Sequence, residues 1–184
     1  MYCPEEIESI LITEEEIKAK VAEMGRVLTE EYKDKNPLFI CVLKGSVVFF
    51  ADLMRVMECP LEINFLKATS YGSSTVSNGN VKLDVGAGID FKGRHVVIVE
   101  DILDTARTLY ALKNDLITRE PASLKIVTLL DKPSRRVVKG FTADYTGFAI
   151  EDLFVVGYGL DYAERFRNLP YVGTLKPEVY SKDT

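Results

Sequence analysis

The chain is poor in the residues that build several common kinds of site. It has one histidine, His95, so neither a histidine-rich zinc cage nor a Ser-His triad is easily assembled. Its three cysteines, Cys3, Cys41 and Cys59, are odd in number and lack CxxC spacing. They read as reduced thiols, neither a metal site nor a disulfide framework. Positive charge is in deficit: 23 Lys and Arg against 28 Asp and Glu leave a net charge of −5. That argues against a nucleic-acid partner held by phosphate neutralisation. No apolar run approaches the roughly 20 residues that span a bilayer, so no membrane association is expected. The N-terminal MYCPEEIESI is acidic and has no signal-type apolar core, which makes the cytoplasm the expected compartment. There is no GxGxxG after the first strand, no internal repeat, no low-complexity tract and no interdomain linker.

What remains is a composition typical of a folded domain, 47% hydrophobic and 28% charged over 184 residues. Thr13 and Glu16 form a capping box. Ile17, Val21, Met24, Leu28 and Tyr32 then recur at helical spacing, predicting a helix that ends near Asp34–Pro37. LFICVL (38–43) reads as a buried strand, residues 46–57 as a helix, and LEINFLKA (61–68) as a strand with one wetter face. Residues 69–80, rich in Ser, Gly and Asn, read as a loop. Further strands are predicted at 124–130, within FTADYTGFAI, and at 153–160. Strands alternating with helices predict an α/β fold with a mostly parallel, doubly wound sheet.

The densest signal is VVIVEDILDTART, residues 96–108. A wholly apolar, β-branched run ends abruptly in Glu100 and Asp101. Asp104 follows, and Thr105-Ala106-Arg107-Thr108 leads into a predicted helix. In parallel α/β sheets ligands bind beyond the carboxyl ends of the strands, and a helix N-terminus offers free N–H groups to phosphate. Acids beside such a cradle suit a sugar phosphate with free hydroxyls, with a divalent metal nearby. A lysine and glycine close an earlier strand at Lys44-Gly45, where backbone N–H groups and an ammonium can approach an anion.

The 96–108 segment resembles the phosphoribosyl-pyrophosphate (PRPP) motif of the type I phosphoribosyltransferases. LKGS, the Ser70-Tyr71 pair, Lys132 and FVVGYGLDYAERFR (154–167) narrow the resemblance to the hypoxanthine-guanine members. It implies the type I fold, a mostly parallel twisted sheet flanked by helices, as one domain over 1–184 whose terminal segments form a small hood. It implies that Lys44 and Gly45 form a pyrophosphate loop, often with a cis bond between them, and that Ser70 and Tyr71 begin a closing loop. Glu100 and Asp101 would hold the ribose hydroxyls, directly or through Mg²⁺. Thr105, Ala106, Arg107 and Thr108 would hold the 5′-phosphate, and Asp104 would be the catalytic group at purine N7. Lys132, Phe154 and Val155 would bind the purine, Asp161 a second Mg²⁺, and Arg167 the pyrophosphate.

One departure is visible. The family commonly has glycine where Ala106 stands, so the turn must keep φ negative there or carry strain. The implied activity joins hypoxanthine, and guanine, to PRPP in a Mg²⁺-dependent purine salvage step, in a homodimer or homotetramer. The alternatives are a xanthine-using sibling, a PRPP-sensing RNA- or DNA-binding protein on the same fold, and a redox enzyme on a doubly wound sheet. Intact Asp104 and Lys132 and the acidic balance oppose the regulatory reading. The missing glycine motif opposes the redox one.

Overall fold

The computed structural model describes residues 2–69, 82–84 and 88–180. Its main sheet has six strands in the order β4-β3-β2-β5-β6-β7, with β2 at Leu38–Leu43, β3 at Glu62–Thr69, β4 at Lys82–Asp84, β5 at His95–Leu103, β6 at Ser123–Asp131 and β7 at Tyr145–Ala149. The five strands from β3 to β7 are parallel, and only β4 runs antiparallel, against β3. Chain order steps outward one way from β2 to β3 and the other way from β5 to β6. The switch point between β2 and β5 is where such a sheet opens a crevice beyond its strand ends.

Burial of β5 explains its unbroken apolar run. Val97 and Val99 point into a core shared with helix α1 (Glu14–Tyr32) and helix α2 (Val47–Val56). Val96 and Ile98 point to the other face, against Leu109, Leu112 and Leu116 of helix α3 (Arg107–Ile117). A strand buried on both sides needs no polar alternation. The capping box is present: Thr13 N–H donates to Glu16 Oε2 at 2.8 Å, and Glu16 N–H to Thr13 Oγ1 at 3.2 Å. His95 opens β5 with its Nδ1 2.7 Å from Ser123 Oγ, the satisfied strand-start histidine.

A second, antiparallel sheet of three strands joins β1 (Ile7–Ile12), β9 (Val172–Leu175) and β8 (Val155–Val156) in the order β1-β9-β8. It packs around Ile7, Val156, Phe166, Leu169, Tyr171 and Leu175. Sequence periodicity missed β1, β4 and β9. It also overextended the strand at 153–160, of which only Val155 and Val156 are strand. Gly157, Tyr158 and Gly159 all have positive φ (96°, 48° and 100°), so the chain turns there instead of extending. Those turns are packed tightly. A Cβ on Gly159 would stand 2.0 Å from the Gly45 carbonyl oxygen, which ties this segment directly to the Lys44-Gly45 loop. Among the described residues no helix is long and apolar enough to cross a membrane.

Candidate active site

Beyond the carboxyl ends of β2 and β5 lies a cavity of about 410 Å³. Its walls bring together Lys44, Gly45, Glu100, Asp101, Asp104, Thr105, Ala106, Thr108, Asp161 and Arg167, ten side chains or turns drawn from three separate stretches of sequence. Arg107 is exposed and opens α3 outside this lining. Ser70 and Tyr71 lie outside the described residues.

The turn after β5 is shaped as an anion cradle. Ala106 adopts φ 68°, ψ 0° at the N-cap of α3, so the strained alternative holds and φ is not negative. For a residue with a Cβ that conformation costs about 1–2 kcal/mol. Burial of the methyl group beside Leu103 and Leu109 offsets part of the cost. The left-handed residue aims successive N–H groups of the helix start toward one point.

Gly45 is required by a close approach. A Cβ built there falls 1.6 Å from Asp101 Oδ2. The cis peptide bond in this loop joins Leu43 to Lys44, not Lys44 to Gly45, and so sits where β2 stops pairing with β3. For Gly45→Ala we expect about 1–3 kcal/mol of lost stability from overpacking, together with weaker binding of phosphate-type anions at this loop. Thermal unfolding and calorimetric titration with inorganic pyrophosphate measure both. A wild-type Tm and affinity would show that Asp101 swings aside freely.

The acid pair is under electrostatic tension. Burial pushes the Glu100 carboxyl well above its ordinary range, and the neighbouring Asp101 charge adds to this. Burial also raises Asp101, partly opposed by its bond to Glu100, by the Ile102 N–H at 2.7 Å and by the Arg167 charge. A raised folded value means that the protonated form carries the stability. This contribution is whole below the unfolded carboxylate range and is lost as pH rises through the folded value. Glu100→Gln is therefore expected to raise the Tm of metal-free protein at neutral pH, with the difference shrinking as the pH falls from the raised folded value toward about 4.3 and largely gone below it. A Tm difference independent of pH would contradict the assignment.

Two crowded carboxylates fit a divalent cation that would relieve their repulsion. No group of three or more His, Cys, Asp or Glu able to hold a metal is found among the described residues. That donor set suits Mg²⁺ completed by substrate oxygens and water, as Mg²⁺ sites commonly are. Asp161 is less free than its sequence position suggested. Its Oδ1 pairs with Arg167 at 2.9 Å, and its Oδ2 accepts the Glu164 N–H at 2.8 Å.

Glu164, which the sequence reading overlooked, bridges two cations, with Lys44 Nζ at 3.0 Å and Arg167 Nη2 at 3.2 Å. Arg167 is further fixed by donating to the Gly159 carbonyl at 2.8 Å, while its Nε is buried with no partner among the described residues. Asp104 shows the same feature, with Oδ1 buried and without a partner among the described residues, and Oδ2 3.9 Å from Arg135 Nε. Buried polar atoms are seldom left without partners, which makes these two candidates for contact with a ligand.

The expected purine residues lie beside the cavity, not in its lining. Lys132 directly follows β6, is only 8% exposed, and donates through its Nζ to the Leu153 carbonyl at 2.6 Å. Burial lowers its pKa, against the opposing pull of Asp152 and Asp104. Leu153 adjoins Phe154, which is 41% exposed and stacked on Tyr180 with ring centres 5.1 Å apart. Val155 is buried at the start of β8. Lys132 thus links the end of β6 to the segment carrying the aromatic ring.

A model of the phosphoribosyl transferase domain matches residues 8–163. The hypoxanthine-guanine phosphoribosyltransferase of Lactococcus lactis is 53% identical over 176 residues, covering 96% of this chain and 95% of that protein. Its counterpart from Bacillus subtilis is also 53% identical, covering 95% and 97%. The crystal structure of a hypoxanthine phosphoribosyltransferase from Staphylococcus aureus superimposes with a TM-score of 0.90 at 45% identity, over 95% of each chain. Fold, cavity and these likenesses agree: the chain belongs to the phosphoribosyltransferase family, in its hypoxanthine-guanine branch.

Proposed function

We propose that this transferase moves ribose 5-phosphate from PRPP to N9 of hypoxanthine and guanine, giving the nucleoside 5′-monophosphate and pyrophosphate. The observation that carries the reading is the convergence of the acid pair, the phosphate-type turn, Lys44 and Arg167 on one cavity. The α3 N-terminus with Thr105 and Thr108 suits the 5′-phosphate. Glu100 and Asp101 suit the ribose hydroxyls. Lys44 and Arg167 suit pyrophosphate, which would displace Glu164 from both cations. Mg²⁺, when bound through Glu100, Asp101 or Asp161 and substrate oxygens, would screen the charge that builds on departing pyrophosphate.

As the C1′–O bond breaks, the anomeric carbon gains oxocarbenium character. Asp104 Oδ1, buried and without a partner among the described residues, can accept a proton from purine N7 as N9 attacks, or stabilise the positive charge developing on the base. The Lys132 ammonium keeps donors beyond its bond to Leu153 and so can bind O6 of a 6-oxopurine while opposing the 6-amino group of adenine. The Phe154 ring supplies a stacking face, and the Val155 backbone the purine edge. Ser70 and Tyr71, by sequence likeness, would begin the loop that keeps water from the reacting carbon.

The protein is read as one transferase domain, with the β1-β9-β8 sheet as its hood, a homo-oligomer acting in the cytoplasm on small molecules and not on nucleic acid. A spectrophotometric assay of hypoxanthine, guanine, xanthine and adenine with PRPP and Mg²⁺ tests the substrate class. Turnover of hypoxanthine and guanine is expected, with little of adenine. Xanthine alone turning over would favour the sibling activity. No turnover of any purine would overturn the reading.

A further inference from the structure

The segment after β6, Asp131-Lys132-Pro133-Ser134-Arg135-Arg136, reads in sequence as a solvated run of charge. In the structure it turns through a short 3-10 segment, Pro133–Arg135, and lies along the back of the turn that follows β5. The Arg136 side chain is 11% exposed and pairs with the 15%-exposed Asp131. Its Nη1 donates to two main-chain carbonyls, those of Leu103, at 3.2 Å, and of Asp104. Main-chain donors in and just after this segment engage the same turn: Lys132 N–H also donates to the Leu103 carbonyl, at 2.9 Å. Val137 and Val138 N–H donate to the Thr105 carbonyl at 3.1 and 3.3 Å.

The carbonyls of residues 103, 104 and 105 are thus all engaged from behind by one element. A peptide plane whose C=O is held on one side presents the following N–H on the other. Fixing three consecutive carbonyls therefore aims the next N–H groups, those of Asp104, Thr105 and Ala106, toward the cavity. Arg136 is the one side chain in this set, and a guanidinium can serve a carboxylate and two carbonyls at once where an ammonium cannot match the geometry.

We infer that Arg136 is a positioning residue for the phosphate turn: through the Leu103 and Asp104 carbonyls it fixes the backbone that carries Asp104 and cradles the 5′-phosphate. The inference rests on the transferase reading of that cavity. Because Lys132 lies on the same segment, the clamp also sets the distance between the purine lysine and the phosphate turn.

The test compares wild type with Arg136→Gln, Arg136→Lys and the double variant Asp131→Asn/Arg136→Gln. The double variant leaves no unpaired buried charge, so a folded protein is available if the single variant is unstable. Calorimetric titration with PRPP and Mg²⁺ in the absence of purine reads the cradle directly, and initial rates give KM for each substrate. Both Gln variants are expected to weaken PRPP binding on the order of tenfold or more, since small displacements of a binding group are costly. KM for hypoxanthine, measured at saturating PRPP, should change less than PRPP affinity. Arg136→Lys should recover part of the loss. A role confined to stability would lower Tm and leave PRPP affinity at the wild-type value, and that result in the folded double variant overturns the inference. Absence of turnover in wild type would instead count against the transferase reading itself.

Discussion

Asp104→Asn is expected to lower kcat by about 100-fold to 10,000-fold, the range general acid–base groups supply. The expectation comes from one atom. Asp104 Oδ1 is buried without a hydrogen-bond partner among the described residues, while the main chain on either side is held by Arg136 and Lys132. Asparagine preserves the shape and an acceptor oxygen but cannot take up a proton or carry negative charge. The fold and the phosphate turn should therefore survive, and KM for PRPP should stay within a few-fold of wild type. Pre-steady-state measurement with hypoxanthine separates the chemical step from product release, which limits kcat in many enzymes. An unchanged single-turnover rate would remove Asp104 from the chemistry and leave it a structural acid.

Lys132→Ala should act on the other substrate. A hydrogen bond from a charged donor is worth about 1.5–3 kcal/mol, or roughly 10-fold to 150-fold in affinity. KM for hypoxanthine and guanine is expected to rise by that factor. Adenine should be affected less, because the ammonium that opposes its 6-amino group is gone as well. The ratio of 6-oxopurine to adenine specificity is thus the informative quantity. PRPP affinity measured without purine should be nearly unaltered. Normal KM for hypoxanthine would mean that the Lys132 ammonium, already donating to the Leu153 carbonyl, serves only to join β6 to the segment before Phe154.

Much of this organisation was legible in the sequence, and the reasons differ by element. The β5 strand was plain because burial on both faces leaves an uninterrupted β-branched run, and the acids at its end have no place in a core. Helix α1 announced itself through the Thr13–Glu16 capping box. At Ala106 residue type and turn conflict already in the sequence, and the conflict is present as a positive φ. By contrast β1 and β9 pair over a separation of more than 150 residues, Ile7 with Leu175, which no local pattern reports. The stretch at 153–160 carries strand-like residues but is bent by Gly157 and Gly159, whose conformations are set by contact with Tyr171 and Gly45.

Part of the expected set converges on the cavity, while Arg107, Lys132, Phe154 and Val155 lie outside its lining, and several connections were not legible in the sequence. Lys44, the acids, the turn and Arg167 do meet. Their partners Glu164 and Arg136 were hidden within charged runs, where composition cannot distinguish a solvated side chain from one folded back onto the backbone. Glu164 has one faint signal: it lies between Asp161 and Arg167, the two residues it helps to align. The expected cis bond was placed one residue late, since nothing in the LKGS tetrapeptide marks which peptide departs from the strand.

The most direct measurement is a crystal structure of this protein with inosine 5′-monophosphate bound. The phosphate is expected on the N–H groups and hydroxyls of residues 104–108, with the ribose against Glu100 and Asp101. Purine O6 should lie within hydrogen-bond reach of Lys132 Nζ, and the ring on Phe154. A nucleotide bound with its base away from Lys132, or its phosphate away from the start of α3, would contradict it.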